Sequence, residues 1–301
     1  MDENRASGVL LGLACGDALG RPVEFESGAR IAERHGTLTE MVGHGTWNKP
    51  AGTLTDDTDQ ALCVAESLRA CDGFDGADVA ERFVAWYESG PFDVGGMTRR
   101  ALQRLQRGDA WDEAGERVWE ASPEGSNAGN GSVMRTPPVA VAYHDDPEAL
   151  DRVSRDVSRI THADPRCTYG CVVLDRTIAG LLGDAADPLA DALDAVRGDA
   201  PAELLDALAP VADGREIAVL RTTGYVVHTL QTALHDALCA ESAEDAIVTA
   251  VNRGGDTDTV GAVAGAVAGA RFGADALPER WLDVIDERER LESLALELAA
   301  R

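Results

Sequence analysis

Gly261, Gly265, Gly269 and Gly273 stand four residues apart in a segment made largely of alanine and valine. In a helix, residues four apart fall on one side, so this spacing leaves one face as bare backbone. Small residues let two helix backbones approach closely, and such a face closes only against another helix. The apolar run 260–270 is glycine-rich and follows two aspartates. It falls well short of the about 20 apolar residues that a membrane span requires. The segment therefore predicts a helix packed within a protein core.

The rest of the chain carries the same helical signature. Leu150, Val153, Val157 and Ile160 step by three and four, the pattern of one buried stripe. Similar patterns predict helices over about 5–19, 57–70, 77–88, 97–106, 168–182, 226–239, 243–251 and 257–271. Gly90 with Pro91, Gly108 and Pro147 punctuate these runs. Strand-like alternation is scarce. The alanine-rich, acidic stretch 184–213 predicts surface helices, and no shift in composition separates two halves. A hydrophobic fraction of 45% supplies a substantial core. The expectation is one compact all-α domain over residues 1–301.

Charge narrows the choice of partners. The chain has 53 Asp and Glu against 27 Lys and Arg, a net charge of -26, and its single lysine is Lys49. An acidic, lysine-poor surface of this kind resembles the cytosolic proteins of salt-accumulating microbes. It repels nucleic acid and anionic membranes, so neither is expected as a general partner. With no targeting segment, a cytoplasmic monomer is expected. The six cysteines, at 15, 63, 71, 167, 171 and 239, fall in apolar helical patterns and read as buried thiols.

Two segments stack acids and hydroxyls at the starts of apolar helices. One holds Thr55, Asp56, Asp57, Thr58 and Asp59; the other holds Asp256, Thr257, Asp258 and Thr259. Helix capping uses one cap residue and one first-turn acid, each contributing about 0.3–1 kcal/mol. Two full clusters exceed that need, and adjacent carboxylates repel unless a cation lies between them. Hard oxygen ligands suit Mg²⁺ or Mn²⁺, whereas zinc would call for His or Cys. If the two helix starts face each other, Thr55, Asp56, Asp57, Asp256, Asp258 and Thr259 provide enough ligands for two such ions. Spacing alone leaves capping and metal binding both open. The glycine-rich segment 125–132 could expose N–H groups to a phosphate, or be a plain loop.

Taken in order, these motifs resemble the ADP-ribosylglycohydrolase family, which includes the hydrolase that reactivates ADP-ribosylated dinitrogenase reductase. The matching pieces begin with Gly16, Asp17, Ala18, Leu19 and Gly20, followed by Glu24 and then Thr55 to Thr58. Phe92 to Gly95, Gly129 to Arg135, Thr161 with His162, and Gly224 to Val226 come next. Gly254 to Thr259 and the glycine-spaced helix close a series that spans about 7–273. The resemblance implies a compact, orthogonal multi-helix fold and two divalent cations, Mg²⁺ or Mn²⁺, held by the six ligands named above. It implies hydrolysis of the N- or O-glycosidic bond between ADP-ribose and a protein side chain, the arginine type favoured, or a small conjugate. Glu24 and Asp93 would stand beside the anomeric carbon. Asn127, Gly129, Asn130, Gly131 and Ser132 would hold the pyrophosphate, Met134 would bind substrate, His162 would line the pocket and Tyr225 would lie near the adenine.

Plain alternatives exist for several of these residues. Glu24 could be a surface acid after Pro22, Asp93 a turn residue after Pro91, and Tyr225 part of the core. Asp17 reads as a buried structural acid. Gly96, His228 and Arg253 depart from the family's common Asn, Asp and apolar residues, which bears on the leaving group and leaves the metal motifs untouched. The family also has crystallin-like members without activity, and the same scaffold could hydrolyse another nucleoside or phosphate conjugate.

Overall fold

A computed structural model describes residues 1–123 and 125–301. Its helices in chain order are α1 (Glu3–Gly20), α2 (Gly28–His35), α3 (Asp56–Ala70), α4 (Gly76–Glu88), α5 (Gly96–Leu105) and α6 (Trp111–Glu120). There follow α7 (Pro137–Ala142), α8 (Pro147–Arg159), α9 (Pro165–Leu182), α10 (Pro188–Val196) and α11 (Ala202–Ala212). The last are α12 (Val226–Cys239), α13 (Ala243–Asn252), α14 (Thr257–Phe272), α15 (Glu279–Leu282) and α16 (Arg288–Ala299). No strand occurs among the described residues, only three isolated bridges between loops.

The glycine-spaced helix finds its partner at the other end of the chain. α1 carries glycines at the same interval, and the two helices run antiparallel with the glycines meeting in pairs. A Cβ on Gly8 would lie 2.4 Å from the Gly269 carbonyl oxygen, and one on Gly12 would lie 2.1 Å from that of Gly265. Gly16 meets Gly261 at 1.9 Å, and Gly20 meets Thr257 at 2.3 Å, by the same measure. The two backbones touch along their whole length. Residues 6–20 of α1 and 257–270 of α14 are all buried. Both helices are apolar on every side, so they form the centre that the others wrap. α13, α12 and α9 pack on α14, and α16 packs on α1.

The outer helices bury a single stripe. In α8, Leu150, Val153 and Val157 face inward, Asp146 caps the start and Pro147 takes the first turn. One continuous core draws on residues from Ala6 to Leu298, and a satellite of Met97, Ala101 and Val118 lies beneath α5 and α6. The expected surface helices of 184–213 are α10 and α11, and both bury one side, through Leu189, Leu193, Leu204 and Leu208. Three cysteines depart from expectation. Cys71 caps the end of α3 and Cys239 closes α12, both exposed, and Cys63 is half-buried. Helix ends reach solvent even where the apolar pattern continues up to them. No helix among the described residues is long and apolar enough to cross a membrane.

Candidate active site

The starts of α3 and α14 meet beneath one cleft of about 800 Å³. α1 sets their relative position. The buried Asp17 carboxylate accepts hydrogen bonds from the Thr55 N–H at 3.0 Å, the Thr58 N–H at 3.2 Å and the Thr58 hydroxyl at 2.6 Å. Asp17 is thus the structural acid the sequence suggests, occupied with the first turn of α3. On the other side, the Thr257 hydroxyl donates to the Gly20 carbonyl at 2.8 Å. Gly255 approaches so closely that a Cβ would lie 2.1 Å from the Thr222 carbonyl oxygen, and its φ is 82°. Only glycine fits both constraints. The Asp256 N–H then donates to the Thr222 carbonyl at 2.9 Å.

Between the two helix starts lies a largely buried patch of acids. The Thr55 hydroxyl donates to Asp57 Oδ2 at 3.2 Å, and the Thr259 hydroxyl reaches the same oxygen at 3.4 Å, joining the clusters directly. Asp57 Oδ1 is buried and has no hydrogen-bond partner. Carboxylate oxygens of Glu24, Asp93 and Asp258 lie within 4.8 Å of one another. Burial and mutual repulsion push Asp56, Asp57 and Asp258 well above the usual carboxylate range. Burial raises Asp256 as well. For Glu24, burial followed by the nearby Asp93 charge lifts the pKa to about 8. Burial and Asp256 lift Asp93 to about 6. Packing this many carboxylates together is unfavourable unless positive charge compensates them. The orphaned Asp57 oxygen, the all-oxygen donor set and the threonine hydroxyls fit hard divalent cations.

Of the sixteen catalytic, substrate-binding and metal residues expected from the sequence, twelve line the cleft: Glu24, Asp56, Asp57, Asp93, Gly129, Asn130, Gly131, Met134, His162, Asp256, Asp258 and Thr259. Thr55 stands behind Asp57 as the cap of α3. Ser132 is fully buried against the Cys171 thiol. Asn127 and Tyr225 sit beside the cleft, where the Arg166 guanidinium donates to Asn127 Oδ1 at 3.2 Å and to the Tyr225 hydroxyl at 3.3 Å. The glycine-rich segment is held in place. The Asn130 N–H donates to the Gly224 carbonyl at 3.0 Å, and the Val226 N–H donates to the Ala128 carbonyl at 3.1 Å. The Asn130 side chain also donates to Asp256 Oδ2 at 2.8 Å, which ties this segment to the acid cluster.

Several contributors carry no sequence signal of their own. Arg21 is fully buried and donates to the carbonyls of Thr53, His44 and Pro50, which pins the loop that carries Trp47. The Trp47 indole N–H in turn donates to Glu24 Oε2. Phe25 is 70% exposed on the cleft with a φ of 64°, an outlier for a bulky residue. Backbone bonds between Phe25 and Gly255 and between Gly255 and Glu26, each 2.7 Å, hold it there. Trp47 and Phe92 stand with ring centroids 5.6 Å apart, and the Lys49 ammonium lies 4.6 Å above the Phe92 ring. Of the three departures, Arg253 makes a bidentate pair with Asp236, away from the cleft. His228 packs edge-on against Tyr225. Gly96 lines the cleft with open space where a side chain would be.

A family model described as ADP-ribosylglycohydrolase matches residues 1–301. The chain belongs to the ADP-ribosylglycohydrolase family. The match extends to both ends of the chain, beyond the motifs themselves. An ADP-ribosyl-[dinitrogen reductase] glycohydrolase of Rhodospirillum rubrum is 34% identical, covering 96% of this chain and 93% of that protein. An ADP-ribosylarginine hydrolase Tri1 of Pseudomonas putida (strain GB-1) is 33% identical, covering 99% of this chain and 78% of its own length. A solved structure titled ADP-ribosylglycohydrolase-related protein complex superposes with a TM-score of 0.82 at 38% identity, covering 99% of this chain and 98% of that one. As a member of this family the protein is a hydrolase of glycosyl bonds.

Proposed function

We propose that this ADP-ribosylglycohydrolase releases ADP-ribose from arginine side chains of modified proteins and depends on two divalent cations, Mg²⁺ or Mn²⁺. The observation that carries the reading is the meeting of the two acid clusters around the unpartnered Asp57 Oδ1 at the floor of a cleft large enough for a nucleotide sugar. Asp56, Asp57, Asp256 and Asp258, with the hydroxyls of Thr55 and Thr259, would hold the cations. When bound, these would supply Lewis acidity and an anchor for vicinal ribose hydroxyls.

The chain's own residues account for the rest. Neighbouring acids whose pKa values are pushed apart divide acid and base roles. Without cations, burial raises both acids, Glu24 to about 8 and Asp93 to about 6. Asp93 takes a proton from the attacking water as the new C–O bond forms at the anomeric carbon. Glu24 gives its proton to the departing guanidine nitrogen as the C–N bond breaks. The Trp47 N–H holds Glu24 Oε2. Asn130 and the segment 127–132 would hold the pyrophosphate with backbone and amide N–H groups.

The mouth of the cleft favours arginine as the leaving group. A guanidinium is a planar cation, and the Phe25 and Trp47 rings line the cleft beside two acids. The test compares arginine-linked, serine-linked and O-acetyl ADP-ribose, with Mg²⁺, Mn²⁺ or EDTA, measuring free ADP-ribose. Arginine-linked substrate should turn over with either cation and not with EDTA, and Phe25→Ala should raise its KM about tenfold. Preferential cleavage of the serine linkage would reverse the leaving-group assignment. No release from any substrate would remove the reading.

A further inference from the structure

Arg135 follows the segment 127–132 and is fully buried, and its guanidinium bonds to α3, α8 and the glycine-rich segment. Nη1 donates to Gln60 Oε1 at 2.7 Å and to the Gly131 carbonyl at 3.0 Å. Nη2 donates to the Val157 carbonyl at 3.1 Å and to the Thr161 hydroxyl oxygen at 2.7 Å. The group lies 4.6 Å from the Phe83 ring centroid. A guanidinium only donates, so each neighbour it touches must accept. That single fact fixes the direction of every hydrogen bond beyond it.

Toward α3, Gln60 must turn its carbonyl oxygen to Arg135. Its amide nitrogen is thereby aimed at Asp56 Oδ2, 3.3 Å away, and that oxygen is bound as an acceptor. Toward α8, the Thr161 hydroxyl accepts from Arg135 and lies 2.7 Å from His162 Nδ1. Thr161 is fully buried, and the described contacts of its hydroxyl are Arg135 and His162. If Nδ1 carried a proton, the hydroxyl proton would face two donors and be left without an acceptor, a costly arrangement in a dry site. The hydroxyl therefore donates to Nδ1, and the imidazole carries its proton on Nε2. That edge faces the glycines of the cleft wall. A Cβ on Gly131 would lie 2.9 Å from His162 Cε1 and 3.2 Å from Nε2.

We infer that Arg135 is a positioning residue that sets the hydrogen-bond polarity of both sides of the cleft. Through Gln60 it presents Asp56 in one orientation. Through Thr161 it holds His162 as a neutral Nε2–H donor for an oxygen of the bound ADP-ribose. The ligand assignment rests on the proposed function, while the tautomer and the polarity rest on the hydrogen-bond network alone.

The test uses the intact protein with ¹⁵N-labelled histidine and NMR detection of the imidazole nitrogens, His162→Gln supplying the assignment. Wild type and Thr161→Ser should show a protonated Nε2 and a bare Nδ1 for His162. Thr161→Val should show the other tautomer or a mixture, with ADP-ribose binding about three- to tenfold weaker, the loss of one aimed hydrogen bond. Gln60→Leu should weaken Mn²⁺ binding and leave the His162 signal unchanged. Arg135→Met should disturb both readouts together; if it fails to fold, the Thr161 and Gln60 variants decide. A protonated Nδ1 in wild type, or a Thr161→Val spectrum identical to wild type, would overturn the inference. If the tautomer holds but no substrate yields ADP-ribose, the proposed function fails and the polarity relay stands.

Discussion

Gly265→Ala tests the central packing of the fold, because the structure reverses the effect this change usually has. At an open helical position, replacing Gly by Ala gains about 1 kcal/mol from lower chain entropy and better propensity. Here the new Cβ would lie 2.0 Å from the Gly12 carbonyl oxygen and 2.6 Å from its carbon. Both obstacles are backbone, so no side chain can swing away. α1 and α14 must part by about 1 Å, which also loosens the neighbouring pairs Gly8 with Gly269 and Gly16 with Gly261. Overpacking of this kind costs about 1–3 kcal/mol where side chains can adjust. With rigid backbone on both sides, the upper end of that range applies. Less the propensity gain, a net loss of about 2 kcal/mol follows, or a melting temperature lower by about 3 °C, since an unfolding entropy of about 2.1 cal/mol/K per residue over 301 residues gives about 1.6 °C per kcal/mol. Gly198→Ala is the control, since a Cβ there meets nothing within 4 Å, and it should stabilise by up to about 1 kcal/mol. Calorimetry of the metal-free proteins reads both. Position along the helix adds a second readout. Gly261→Ala, next to Asp258, should weaken Mn²⁺ binding more than Gly269→Ala at the far end, for similar losses of stability. A Gly265→Ala protein that melts at or above wild type would refute the close-packed pair.

Asp57→Asn and Asp258→Asn should fold and stay soluble, lose Mn²⁺ binding in calorimetry and lower hydrolysis by about two orders of magnitude or more. Their metal-free forms should be no less stable than wild type, since fewer like charges are buried together; wild-type turnover by Asp258→Asn would end the metal assignment. The pH dependence follows from acids raised in the folded state. Glu24 rises from 4.5 to about 8 and Asp93 from 3.8 to about 6, so their contribution is fully present below about pH 4 and lost as pH climbs through 6 and 8. Melting temperatures in EDTA should therefore fall between pH 5 and 8, less steeply above pH 6 in Glu24→Gln, and saturating Mg²⁺ should oppose the fall; a rise with pH in EDTA would show that the acids are compensated without metal. A net charge of -26 predicts a strong rise in melting temperature between about 0.01 M and 1 M KCl, as the Debye length shrinks from about 30 Å to 3 Å. A melting temperature independent of salt would remove the salt-adapted reading.

The two helix starts and the glycine face were legible in the sequence because each repeats a local spacing that physics reads directly. Thr55 to Asp57 and Asp256 to Thr259 carry more oxygen than capping uses, and Gly261 to Gly273 leave a bare face that must be covered. What covers that face was not legible: Gly8, Gly12, Gly16 and Gly20 form a matching ladder, but only the fold pairs residues more than 230 positions apart. Arg21 looks like any of the chain's other arginines, and Arg135 is marked only as the last residue of the motif Gly129 to Arg135. Their roles arise from burial, which depends on which loops close over them. Trp47 and Phe25 belong to no periodic pattern, and a bulky residue held at a φ of 64° has no sequence mark at all. Conversely, the pattern that placed Cys71 and Cys239 among apolar residues says nothing about where a helix emerges into solvent.

The same glycine pairing explains why the acids sit where they do. α1 touches both half-sites at one point. Gly16 and Gly20 abut Gly261 and Thr257 on α14, while Asp17, between them in sequence, turns its carboxylate to Thr55 and Thr58 on α3. Backbone contact leaves no slack in the first joint, and the second uses several short donors on one buried carboxylate. The separation of the two acid clusters is therefore fixed by the first helix of the chain, not by the acids, which repel and would otherwise drift apart. This division of labour holds the acids of the cleft together without help from the acids themselves. Burial raises Asp17 to about 6, yet its three donors all face its oxygens, so its place in the fold is structural. The acids of the cleft differ in that they line its open volume, and Asp57 among them keeps an oxygen with no partner.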